Sequence, residues 1–183
     1  MNKSVLATIL GVSALGLLGK KGQFNFDEAN SLKCAQKLDE WIEKSDLKKY
    51  FYIAAHQTDN KFRDSIFNNG FKYKSNLQHT SNLTNSAVSS VEFFKNSRHG
   101  YATAILFILI PKSLGSWQVA GDYGPIDQWM NSSNPSKGEH NVLPPYLGFA
   151  WISLMDGKCY INKKSPEKIS KLIRNPKTNI YDI

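Results

Sequence analysis

Tyr101 to Ile110 reads YATAILFILI, an uncharged run opened by Gly100 and closed by Pro111. It shows no alternation of apolar and polar residues, so it predicts a strand buried on both faces, in the middle of a sheet. Pro111 lacks the N–H a central strand must donate, which sets the end of the run. A strand of this kind needs neighbours on both edges and cover on both faces. Tyr146 to Ser153 is a second buried run. Asp156-Gly157 then predicts a hairpin that turns Lys158 to Asn162 back antiparallel. The aromatic and β-branched run Phe51-Tyr52-Ile53-Ala54-Ala55 is a further strand, ending at His56 in the tripeptide His-Gln-Thr.

Four segments carry helical periodicity. Asp27 to Ser45 places Ala29, Leu32, Ala35, Leu38, Trp41 and Ile42 along one face, with Asn25 or Asp27 as cap and Asp27-Glu28 against the helix dipole. Phe62, Ile66 and Phe67 lie at helical spacing before an Asn68-Asn69-Gly70 stop. Asn85 to Asn96 has Val88, Val91 and Phe94 as its apolar positions. The tail carries a short helix from Ser165, with Pro166 at its start and Ile169, Leu172 and Ile173 as its apolar side. Residues 113–141 are rich in Gly, Ser, Asn and Pro with Trp117, Tyr123 and Trp129 interspersed. That is long for a connection without periodicity and reads as a lid or binding loop.

With 183 residues, 41% of them apolar and 12% aromatic, the chain has enough material for one folded domain and a real core. Lys and Arg number 23 against 15 acids, a formal charge of +8 that favours anionic partners. The cations are scattered, and pairs such as Lys20-Lys21, Lys48-Lys49 and Lys163-Lys164 are short, which also fits a plain soluble basic surface. Met1-Asn2-Lys3 precedes an uncharged run from Ser4 to Gly19 and then Lys20-Lys21. Residues 1–22 therefore read as an export signal, with Ala14-Leu15-Gly16 as a small-x-small site. The alternatives are a short membrane anchor or a helix packed on the domain formed by 23–183. Cys34 and Cys159 form no CxxC pair. They make one disulfide if the chain is exported, and two thiols if it stays in the cytosol. No HxH or HExxH spacing points to a metal.

The stretch from Tyr50 to Ser81 concentrates the chemistry: a strand delivers His56 and Thr58 to its exit, a short helix follows, and His79-Thr80-Ser81 comes next. Read singly, His56 is a packed polar residue, Thr58 a helix cap, the triplet a loop and Glu139 a surface charge. Their order is more specific. Ala55-His56-Gln57-Thr58 resembles the histidine strand end of the ADP-ribosyltransferase superfamily, in its diphtheria-toxin and poly-ADP-ribose-polymerase branch. Ile66-Phe67-Asn68-Asn69-Gly70-Phe71 is similar to that family's I-x-x-x-G-F step, and His79-Thr80-Ser81 stands where the family has a Ser-Thr-Ser-like triplet. Glu139-His140-Asn141-Val142-Leu143-Pro144-Pro145 resembles its glutamate before a Val-Leu-Leu-Pro strand. The family's glutamate directly precedes the Val-Leu; here Asn141 holds that place and Glu139 stands two residues earlier.

The resemblance implies an α+β fold: a split β-sandwich of two small, mostly antiparallel sheets with flanking helices. It implies NAD as substrate, with ADP-ribose passed to a macromolecular acceptor, protein or nucleic acid, and nicotinamide released, in an exported toxin or effector. Glu139 would stabilise the oxocarbenium-like charge, with Asp122 or Asp127 as other carboxylates in reach of the role. His56 and Thr58 would hold a ribose hydroxyl, and Phe71 or Tyr73 would face nicotinamide. Backbone near Gly70 or Gly100 would meet the diphosphate, and Thr80 and Ser81 complete the cofactor set. Arg63, Lys72 and Arg98 are candidate phosphate cations. Two other readings remain: a metal-independent ribonuclease-like toxin using His56, His79, His99 and His140 as acids and bases, and a non-catalytic binding module on the same fold, with Asn141 marking lost chemistry.

Overall fold

The computed structural model describes residues 25–72, 81–96, 102–112, 142–178, 180 and 182–183. Among them are five helices: α1 (Glu28–Lys44), α2 (Leu47–Tyr50), α3 (Arg63–Asn69), α4 (Ala87–Asn96) and α5 (Ser165–Arg174). The strands are β1 (Phe51–Thr58), β2 (Phe71–Lys72), β3 (Ser81–Leu83), β4 (Ala104–Pro111), β5 (Val142–Leu143), β6 (Gly148–Ser153) and β7 (Cys159–Ile161). Strands β1, β4, β6 and β7 lie side by side in that order as an open antiparallel sheet, and the short β3 extends it beyond β1. The fold class is α+β.

The uncharged run is the central strand. Every residue of β4 is buried, because β1 and β6 flank it and helices cover both faces. The expected pair of sheets of a split sandwich is not seen among the described residues. Instead β2 and β5 pair over two residues each, a ladder too short to carry a packing face of its own. Residues 73–80 and 113–141 lie outside the described set.

Strand alternation sorts the faces. His56, Leu106 and Trp151 are successive cross-strand neighbours, and Tyr160 follows Trp151 on β7. Helix α3 covers this face, where Phe67 meets Trp151 edge-on at 6.1 Å and the Arg63 guanidinium lies 4.0 Å from the centre of the Tyr160 ring. On the other face Trp41 of α1 stacks on Phe149 at 5.9 Å; the register shift opposite Phe107 and Ile108 leaves Phe149 without a partner on β4 and so out of alternation with Trp151. Cys34 of α1 is disulfide-bonded to Cys159 of β7, with Cα atoms 5.7 Å apart. Of the two states open to the cysteines, the paired one is found.

Helix α1 is capped by Asp27, whose carboxylate accepts from Asn30 N at 3.1 Å. Its buried side keeps Ala35, Leu38 and Ile42 of the stripe expected from periodicity, with Leu32 half-buried, and adds Ser31 and Cys34; Ala29 is exposed and Trp41 is 39% exposed. The β6–β7 turn lies against the added edge. Gly157 (φ 62°) presses on the helix so closely that a Cβ there would stand 2.2 Å from the Asn30 Cβ. That crowding and the disulfide together turn the Ser31–Cys34 edge inward.

Helix α4 begins on a cap built from two elements. Ser86 Oγ accepts from Ser89 N at 3.2 Å, while Asp39 of α1 accepts from Ser86 Oγ at 2.7 Å, Ala87 N at 2.6 Å and Val88 N at 3.1 Å. Losing a capping carboxylate costs about 0.5–2 kcal/mol, and here three donors lose their acceptor together. Asp39→Ala is therefore expected to destabilise the protein by about 2 kcal/mol, read as a lower urea midpoint with an unchanged slope. An unchanged midpoint would show that the cap contributes nothing net.

The run expected as a strand from Tyr146 starts two residues late. Pro144-Pro145 direct residues Pro145–Leu147 into a 3-10 turn, and Asn162 holds it by donating from Nδ2 to the carbonyls of Pro145 (2.9 Å) and Gly148 (3.0 Å). Among the described residues no helix is long and apolar enough to cross a membrane. The apolar run 4–19, read as an export or membrane-contacting segment, lies outside them, as does the loop 113–141.

Candidate functional site

Strand β1 carries His56 into the protein on the face covered by α3. The side chain is 5% exposed, and its ring stands edge-on to Phe71, centroids 4.8 Å apart and planes at 81°. The Cα of His56 lies opposite Ser81 of β3 on one side and Leu106 of β4 on the other. Thr58, two residues on, is half-buried on the same face, and its carbonyl accepts from Thr103 N at 2.8 Å.

Phe71 reaches His56 because of the step before it. Helix α3 ends at Gly70, whose φ of 90° turns the chain back through a conformation that favours glycine, with its N–H bonded to the Ile66 carbonyl at 2.9 Å. The reversal sets β2 against β5, with Phe71 opposite Leu143 and Lys72 opposite Val142. Of the cofactor-binding set read from the sequence, His56, Gly70, Phe71 and the backbone of Ser81 are thus brought into one place. Tyr73, Thr80 and the carboxylate candidates Glu139, Asp122 and Asp127 lie outside the described residues, as do His79, His99, His140, Asn141, Arg98 and Gly100.

Burial in this apolar setting drives the His56 pKa from 6.5 down to about 3. The imidazole is therefore neutral at physiological pH, with one nitrogen donating and the other accepting. Arg63, a candidate phosphate cation, is engaged elsewhere. Its Nε donates to Asp64 at 2.9 Å and its guanidinium covers Tyr160, and the bond to Asp64 raises its pKa further.

Sequence reading passed over Asn60. It sits in the 3-10 turn Asn60–Phe62 after β1, a turn capped by Asp59 rather than Thr58. Its N–H donates to Thr103 Oγ1 (2.9 Å), its Nδ2 to Ser153 Oγ (2.8 Å), and its Oδ1 accepts from Trp151 Nε1 (2.9 Å). One side chain ties the exit of β1 to the entry of β4 and the end of β6, which fixes the rim beside Thr58. The only local signal was a polar residue after a strand, shared by every ordinary turn.

The chemistry available here is hydrogen bonding by a neutral imidazole beside an aromatic ring, with the chain re-entering next to them at Val142, three residues after Glu139. Among the described residues no cluster of three or more His, Cys, Asp or Glu side chains stands close enough to hold a metal ion. No protein-family model, no curated protein and no solved structure matches the chain.

Proposed function

We propose that this protein is an NAD-dependent ADP-ribosyltransferase, with the site formed around His56 and Phe71 and completed by Glu139. The observation that carries the reading is the β2–β5 ladder. It returns the chain to Phe71, and so to His56, directly after the Glu139-His140-Asn141 segment. Two of the segments that carry the resemblance, 72 residues apart in sequence, thus pair through Phe71 and Leu143, which supports the reading.

The residues fit a dinucleotide in part. A neutral imidazole can donate to a ribose hydroxyl, the Phe71 ring offers an apolar wall, and the turn at Gly70 lets backbone approach a ligand closely. NAD supplies the ADP-ribosyl group, with nicotinamide as the leaving group. Glu139 stabilises the positive charge that grows on the ribose as the nicotinamide bond breaks, and takes the proton of the acceptor nucleophile as the new bond forms. His56 holds the ribose and moves no proton.

That last point removes His56 from the acid–base set of the ribonuclease reading, because a histidine held at about 3 does not change protonation near neutral pH; His79, His99 and His140 lie outside the described residues. The Cys34–Cys159 disulfide supports an oxidising compartment, in keeping with export.

The test is nicotinamide release from NAD by the full chain, with a broad lysate as acceptor. Glu139→Gln is expected to reduce the rate by a factor of about 10² to 10³, the usual loss when one electrostatic stabiliser is removed. Full activity in that variant would remove Glu139 from the site. No turnover by the native chain would leave the binding-module reading in its place.

A further inference from the structure

At the other end of β1 from His56 lies a cleft of about 290 Å³ with a different character. Its walls are Lys49 and Tyr50 of α2, Phe51, Pro111 and Lys112 at the end of β4, and Leu172 and Pro176 at the end of α5. Five residues of strand separate it from His56, about 16 Å along the sheet. The transferase reading makes no use of it.

Two lysines face this cleft, and among the described residues neither has a carboxylate within ion-pair distance; the nearby acid Glu43 pairs with Lys48 instead. Each of the two stands over an aromatic ring, Lys49 at 5.3 Å from the centre of Tyr50 and Lys112 at 5.3 Å from that of Tyr52. Lys112 is also anchored by donating to the Lys48 carbonyl. Arg174 and Lys177 flank Pro176 in the chain and are exposed. In the segment from Lys163 to Lys177 six cations stand against one acid, Glu167, which is taken up by Lys171 at 2.9 Å. Net positive charge, aromatic rings and a cleft about the bulk of one nucleotide are thus found together.

We infer that this cleft is a second binding site, for a phosphorylated nucleoside, either within a single strand of RNA or free. The cations meet phosphate oxygens, and Tyr50, a wall of the cleft, offers an apolar surface beside them for the base. The same chemistry explains why two lysines without a carboxylate partner among the described residues are held at a concave surface.

The experiment is fluorescence anisotropy with a labelled single-stranded oligouridylate, in low and physiological salt, on the native chain. Lys49→Glu combined with Lys112→Glu is compared with Lys33→Glu combined with Lys37→Glu, which makes the same charge change on exposed positions of α1. Binding is expected to weaken with salt, and to weaken at least about tenfold in the first variant while the second stays within about twofold of native. Competition by adenosine monophosphate but not by equal inorganic phosphate identifies a nucleoside site; binding of the monophosphate without the oligonucleotide assigns the free ligand. Equal losses in the two variants, or no binding of either probe, overturn the proposal. All four lysines are exposed, and matching urea midpoints confirm that both variants are folded. Nicotinamide release is a separate readout, so the two proposals stand or fall independently.

Discussion

Replacing both cysteines, Cys34→Ser with Cys159→Ser, is expected to lower the unfolding free energy by about 2–5 kcal/mol, measured by urea unfolding as a lower midpoint with a steeper slope, since the unlinked denatured chain exposes more surface. The bond spans 125 residues of sequence, so its absence releases a very long loop in the unfolded chain. Loop-closure entropy for a ring of that size is worth about 5 kcal/mol, the upper end of the range. The fold adds a second reason. Helix α1 carries Asp39, the acceptor that starts α4, and α1 is fastened to the edge of the sheet through this bond. Loosening α1 therefore also weakens the α4 cap. Reductant should reproduce the shift in the native chain and leave the double variant unaffected. Equal midpoints for native and double variant would show that packing of Trp41 on Phe149 and of the Leu38–Ile42 side already holds α1 without the covalent link.

The parts of this structure that were legible in the sequence are those whose cause is local. An uncharged run with Pro111 at its end can only be an interior strand, and β4 is one. Asp156-Gly157 between apolar runs makes a hairpin, and β6 and β7 pair around it. What was not legible depends on partners distant in sequence. The burial of Ser31 and Cys34 on α1 goes with Gly157 and Cys159, which approach the helix from more than a hundred residues away. The start of β6 is delayed by a clamp from Asn162 on the far side of the hairpin. Asp39 reads as one more exposed helix acid until α4 is docked on it.

The site divides in the same way. His-Gln-Thr and Asn-Asn-Gly-Phe were visible as motifs, and Gly70 explains itself through its φ. That Phe71 touches His56, and that Leu143 returns beside Phe71, are facts of tertiary packing. Helix α3 shows the limit of periodicity. Phe62, Ile66 and Phe67 keep helical spacing, yet Phe62 is 48% exposed, because residues 60–62 form a 3-10 turn whose shorter period points its side chain away from the sheet.

His56 gives the second large effect. Below about pH 6.5 the imidazole of the unfolded chain takes up a proton, while the folded one refuses it until about pH 3. Within that window the unfolded state binds more protons, so stability falls as the pH falls and is restored as it rises. Each pH unit is worth about 1.4 kcal/mol, which gives a loss of about 2 kcal/mol at pH 5 and on the order of 5 kcal/mol once both states are fully protonated. Carboxylates titrate over the lower part of the same range, so the measurement is a difference between native and His56→Gln, which has no proton to gain. Urea unfolding at pH 7 and pH 5 should show the native protein losing about 2 kcal/mol relative to the variant. A constant difference would mean that the imidazole is solvated or charged in the folded state. The ribose-holding role rests on the same physics. An imidazole already neutral at pH 7 leaves no ionisation of its own in the rate, so nicotinamide release should show no acidic limb between pH 6 and 7 that His56→Gln removes. Such a limb would return His56 to acid–base chemistry, and with it the ribonuclease reading.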